Sequence, residues 1–172
     1  MQLEIDAAAE ARIERVRKHL PAGNDLTLVA LKGHLLVEEA LDGLIATACS
    51  EPHHLDTVEI RFLVKARLAR SLCGHILWPG VWPLIDALNT IRNDLAHNLD
   101  SPKLKRRILH FLDIRREQVT LLYDPPLGAD DSLAVADRFR SDVSLLLGQL
   151  TGGEILVRTV AKQAQSDVPA DT

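Results

Sequence analysis

Pro83-Leu84-Ile85-Asp86-Ala87-Leu88-Asn89-Thr90-Ile91-Arg92-Asn93-Asp94-Leu95-Ala96-His97-Asn98-Leu99 is the stretch that decides the fold. At about 3.6 residues per turn, Leu84, Leu88, Ile91, Leu95 and Leu99 line one side, and Asp86, Asn89, Asn93 and His97 the other. That is an amphipathic helix. Pro83 suits its first turn, where a missing N–H costs nothing. Arg92 interrupts the pattern, about 40° from Leu88 and on the face of Leu95. A guanidinium among leucines costs free energy unless it is paired and hydrogen-bonded. The spacing therefore predicts an Arg92 held near a packed seam, with Glu38, Glu39 or Asp42 as the acid. His97 lies five residues on, about 140° round an ideal helix. The two meet on one small substrate only if the helix loosens near His97 or a second copy supplies the other residue.

Outward from this helix, composition sets the class. A chain of 172 residues that is 47% apolar is long enough for a core and too apolar for a disordered protein. Aromatics are only 3%, and leucine, alanine and valine carry the apolar content, which favours packed helices over sheets. A net charge of −4 gives no global basic field. The N-terminus lacks a basic region followed by an apolar run, and no apolar stretch reaches membrane-spanning length. The expectation is a cytoplasmic protein without membrane contact. Cys49 and Cys73 have no metal spacing and read as reduced, partly buried thiols.

The remaining periodicities predict an all-α, up-and-down bundle of five to six helices, forming a single domain over residues 1–165 with a disordered tail at 166–172. A first helix covers 2–19, its late cations Arg12, Arg15, Arg17 and Lys18 complementing the helix dipole. Asn24 or Asp25 caps a second, long helix to about Ser50. Within it, Gly33 lets a neighbouring helix approach closely, and His34, Glu38 and Asp42 follow at intervals of four. His34 and Glu38 read as a pair one turn apart, able to enter a cleft. Pro52-His53-His54 is a turn; with Asp56 nearby it lacks a third ligand at a familiar metal spacing, so no metal is expected. A third helix is expected over 55–73, with Val58, Phe62, Lys65, Leu68 and Leu72 to one side. Ser101-Pro102 opens a basic helix carrying Lys103, Lys105, Arg106, Arg107, His110, Arg115 and Arg116. After a Pro-rich break at 123–130, a last strong helix covers 131–150. Thr151-Gly152-Gly153 is expected to interrupt it before a short helix to Gln165.

Arg92-Asn93-Asp94-Leu95-Ala96-His97 resembles the R-x4-6-H motif of HEPN domains, including the polar residue directly after the arginine. Gly33-His34-Leu35-Leu36-Val37-Glu38-Glu39-Ala40-Leu41 resembles an early helix of the same bundles. The resemblance covers roughly residues 25–120. It implies an HEPN-like helical bundle, a metal-independent RNase and a homodimer with two motifs around one cleft. Many family members are toxins or defence components, so a cognate antitoxin is an implied partner.

The residues fit that chemistry on their own terms. Cutting RNA without a metal needs proton transfer at the 2′-hydroxyl and the leaving 5′-oxygen, and positive charge on the phosphorane. His97 suits the proton transfers, the imidazole being the side chain that gains and loses a proton near neutrality. Arg92 suits bidentate phosphate contact, and Asn93 can orient the imidazole or donate to phosphate. Products would carry a 2′,3′-cyclic phosphate and a 5′-hydroxyl. His34 and Glu38 are supporting candidates. Lys103, Lys105, Arg106 and Arg107 are candidate RNA-backbone contacts. No cofactor is expected. The lack of evident exposed aromatics speaks against sequence-specific base stacking. Two other readings stay open. Leu35-Leu36-Val37-Glu38-Glu39-Ala40-Leu41 is also similar to the mannitol-operon repressor family, all-helical regulators without a plain helix-turn-helix. A non-catalytic nucleotide- or RNA-binding module is the other.

Overall fold

The computed structural model describes residues 7–98, 101–118 and 132–166. Within them the chain is all-helical, a bundle of six α-helices with no strand: α1 (Ala7–His19), α2 (Leu26–Ala48), α3 (Phe62–Cys73), α4 (Val81–His97), α5 (Leu104–Gln118) and α6 (Ser132–Ser166). Residues 1–6, Leu99, the Pro-rich break and the tail at 167–172 lie outside the described residues.

α2 is the central element, in contact with α3, α4 and α6. Its start is fixed by Asp25, whose Oδ1 accepts from the Leu28 backbone N–H at 2.9 Å. Val29, Val37, Leu41 and Leu44 are fully buried along it. Gly33 serves the close approach expected of it: a Cβ there would stand 2.8 Å from Val143 Cγ1 of α6. α4 inserts Leu84, Ile85, Leu88, Ile91 and Leu95 into the same core. Each such side chain is worth about 1.5–3 kcal/mol of burial. α5 docks through Ile108 and Phe111, whose ring meets Phe139 of α6 edge-on at 5.3 Å between centroids.

α1 is held by charge as much as by grease. Arg12 pairs with the buried Glu154 of α6 at 2.7 Å and donates to the Glu39 carbonyl at 3.2 Å. Arg158 grips the same Glu154 at 2.8 Å, and Arg15 takes both carboxylate oxygens of Glu39. Gly43 leaves room for the Arg12 guanidinium. A buried carboxylate with two arginine partners is compensated rather than stranded.

Four boundaries differ from the expected ones. α5 begins at Leu104, with Ser101 and Pro102 in the turn before it. The third helix begins at Phe62, not at 55: Pro52–Leu55 is a single 3₁₀ turn, and the segment to Arg61 is irregular. Thr57, Val58 and Ile60 are β-branched and stiff at χ1, which disfavours an exposed helical turn. The buried side of α3 is Phe62, Ala66, Ala69 and Cys73, while Val58 is exposed. α4 starts at Val81, with Pro83 still in its first turn. α6 runs unbroken through Thr151-Gly152-Gly153. Thr151 Oγ1 satisfies itself on the Leu147 carbonyl at 3.0 Å. Gly153 is buried where a Cβ would come within 2.8 Å of Leu77 Cγ. The helical cost of these glycines, about 1 kcal/mol each, is offset by burial of Leu147, Leu150 and Val157 around them.

Both cysteines are free. Cys73 is buried and donates to the Ala69 carbonyl at 2.8 Å; burial pushes its thiol up to about 11. No helix among the described residues is long and apolar enough to cross a membrane.

Candidate functional site

The last turns of α4 stand at the surface. Arg92, Asn93, Ala96 and His97 are all exposed, and Leu95 alone is buried between them. Arg92 therefore does not sit in the apolar seam as its spacing suggests. It lies at the edge of the stripe, and its long stem lets the guanidinium reach water. The acids expected to hold it are engaged elsewhere. Glu39 is bound to Arg15, and Lys65 of α3 reaches Glu38 at 3.1 Å and Asp42 at 2.8 Å. The hydrogen bond that Arg92 does make is a long one, Nη1 to Asn93 Oδ1 at 3.4 Å. Arg92 is thus accessible to solvent rather than buried.

α4 remains a regular helix through His97. The Asn98 backbone N–H closes it on the Asp94 carbonyl at 3.0 Å. Arg92 and His97 are thus held about 140° apart round the axis, and helix loosening does not bring them together within one chain. Asp94, inside the motif, pairs with Arg107 Nε of α5 at 2.6 Å. Of the expected RNA-backbone residues, Lys103, Lys105 and Arg106 are exposed, and Arg107 is the half-buried partner of Asp94.

His34 is not a helix-surface partner of Glu38. It is 4% exposed, stacked on Phe62 of α3 with ring centroids 4.0 Å apart, and its Nε2 lies 3.4 Å from Asn89 Oδ1 of α4. Burial pulls the imidazole below its ordinary value; the Asn89 hydrogen bond and the Glu38 charge oppose this, and the Arg92 charge reinforces it. His34, Glu38, Asn89 and Arg92 thus form one electrostatic neighbourhood across α2 and α4. For Lys65, burial works against the ammonium, but its bonds to Asp42 and Glu38 outweigh that and raise its pKa. Asn89, Phe62 and Lys65 were not foreseen as members. His34 three residues before Val37 and seven before Leu41 was the available signal that it faces inward.

The His34 environment has a pH consequence. An unfolded imidazole titrates near 6.5 and the native one lower, so between these values the unfolded chain binds more protons. Stability is expected to fall as pH drops from about 6.5 through the native value. Urea midpoints measured across that window should shift downward in the wild type, and less steeply in His34→Gln.

Two other features complete the surface. Glu51, His53 and His54 bring ligand atoms within 4.8 Å of one another, all exposed, with His54 Nε2 on Glu51 Oε2 at 2.9 Å. Asp56 is not part of that group. Trp78 is 37% exposed, with the Arg115 guanidinium 5.6 Å from its ring centroid, so one aromatic does reach the surface.

No family model, curated protein or solved structure matches the chain.

Proposed function

We propose that this protein is a metal-independent endoribonuclease of HEPN type, a toxin or defence component that acts as a homodimer and is restrained by a cognate antitoxin. The observation that carries the reading is the exposure of Arg92, Asn93 and His97 together on the end of α4. A general acid–base and a phosphate ligand must be reachable by a polymer substrate, and all three are. His97 moves the protons, Arg92 neutralises the phosphorane through its planar fork, and Asn93, one turn before His97, orients the imidazole or donates to phosphate.

The 140° separation supports a dimer, in which one protomer's Arg92 faces its partner's His97. Exposed leucines on α2 and α3 offer apolar surface for such an interface. Leu35 and Leu63, chain neighbours of the stacked His34 and Phe62, are 58% and 47% exposed.

The loose hold on Arg92, whose hydrogen bond is to Asn93 and not to a carboxylate, favours a second reading. A catalytic arginine is usually fixed by its surroundings. An inert helical regulator, or an RNA- or nucleotide-binding module acting through protein partners, needs no such fixing.

Incubation of the purified full chain with RNA in excess chelator separates the two. The nuclease reading predicts cleavage that persists without divalent ions and leaves 2′,3′-cyclic phosphate ends. Cleavage that needs a divalent ion overturns the metal-independent mechanism, and no cleavage at all favours the second reading.

A further inference from the structure

The strongest unassigned feature is a groove of about 400 Å³ between α3, α4 and α5. That volume lies in the range of small-ligand sites, but its lining is more polar than most. Arg70 comes from α3, Asp86 and Thr90 from α4, and Arg107 and His110 from α5. Arg70 and His110 are exposed and make no ion pair among the described residues. Arg107 spends its Nε on Asp94, which leaves the two Nη groups to donate elsewhere. Asp86, the acid in the lining, is already held by Arg67 Nη2 at 3.3 and 3.2 Å. The lining thus sets two arginines and a histidine against one aspartate, which Arg67 already holds. Such a site attracts anions.

The direction of the groove matters more than its volume. Pro83, Ala87 and Thr90 line it, and Asp94 and His97 continue the same series at steps of four, three, four and three. Residues so spaced form one ridge along a helix. The stripe of α4 that lines the groove therefore runs on toward His97, past the Asp94–Arg107 pair. Lys103 and Arg106, exposed at the start of α5, extend the positive surface beyond Arg107.

We infer that this groove binds the phosphodiester backbone of a single RNA strand and leads it to His97, with Arg70, Arg107 and His110 as the phosphate ligands. The inference rests on the nuclease reading and adds to it Arg70 and His110, neither of which belongs to the motif. Backbone binding of this kind is sequence-independent and salt-sensitive, each neutralised phosphate of a single strand contributing a slope of about 0.7 in log affinity against log salt.

The test uses the full chain carrying His97→Ala, so that RNA stays intact, and a fluorescein-labelled oligouridylate read by anisotropy. Adding Arg70→Gln and His110→Gln should weaken binding by about tenfold or more and flatten the salt slope by about 0.7 for each phosphate no longer neutralised. Lys18→Gln, an exposed cation on α1, makes a like change of charge and should leave both unchanged. Equal thermal melts by circular dichroism certify the fold; should the double variant fail them, Arg70→Gln alone carries the test. If the parent binds RNA and the groove variant binds it equally well, the groove is overturned while the nuclease reading stands. If the parent binds no RNA, both fall. If adenosine monophosphate binds in an Arg70-dependent way and RNA does not, the groove is a mononucleotide pocket and the inference is overturned.

Discussion

His97→Ala is expected to reduce RNA cleavage by about 10²–10⁴-fold, the usual worth of a positioned acid–base group. The loss should fall on kcat more than on KM, because the imidazole acts in the proton transfers and not in holding the strand. The side chain is exposed and α4 is anchored by Leu95 beneath it, so the fold should be unaffected. Induced expression gives the same contrast in cells: growth arrest with the wild type and growth with the variant. Arg92→Lys is the companion measurement. It keeps the charge and loses the bidentate fork, so kcat/KM should drop by about tenfold or more. Full activity in that variant would remove Arg92 from bidentate phosphate binding.

Phe139→Ala is expected to cost about 3–5 kcal/mol, the range for deleting a buried aromatic. Phe139 is fully buried on α6, and its ring supports Phe111, through which α5 docks. Removing the ring leaves a cavity that neither helix can close without moving, and the edge-to-face pairing disappears with it. A urea titration should show a lower midpoint with an unchanged slope if only stability falls. Because α5 carries Arg107, the partner of Asp94, RNA affinity should weaken as the variant approaches its transition.

Local patterns on single helices are readable in the sequence. The leucine stripe of α4, the Asp25 cap and the close approach at Gly33 each depend on residues within a few turns, or on a glycine whose purpose is spatial. The all-helical class follows from the same periodicities. Misreadings arise where tertiary packing decides the outcome. Gly152 and Gly153 look like a break, yet Leu77, far away in sequence, fills the space a side chain would need at Gly153. Arg92 looks buried because an ideal projection ignores the length of its stem, which reaches water from the edge of the stripe. His34 looks like a surface partner of Glu38 if the four-residue spacing is followed; its spacing to Val37 and Leu41 points inward, but that Phe62 and Asn89 close over it is decided by tertiary packing. The groove is invisible for the same reason: Arg70 and His110 are far apart in the chain and meet only once α3, α4 and α5 are assembled.

Mixing two inactive proteins tests the proposed service of one protomer's Arg92 to its partner's His97. Arg92→Ala and His97→Ala, purified separately, unfolded together and refolded as a mixture, form mixed dimers in which one cleft keeps both native side chains. Chelator-resistant RNA cleavage should return in the mixture, although neither variant cleaves alone. A mixture that forms dimers and stays inactive, beside a wild type that cleaves, would contradict it.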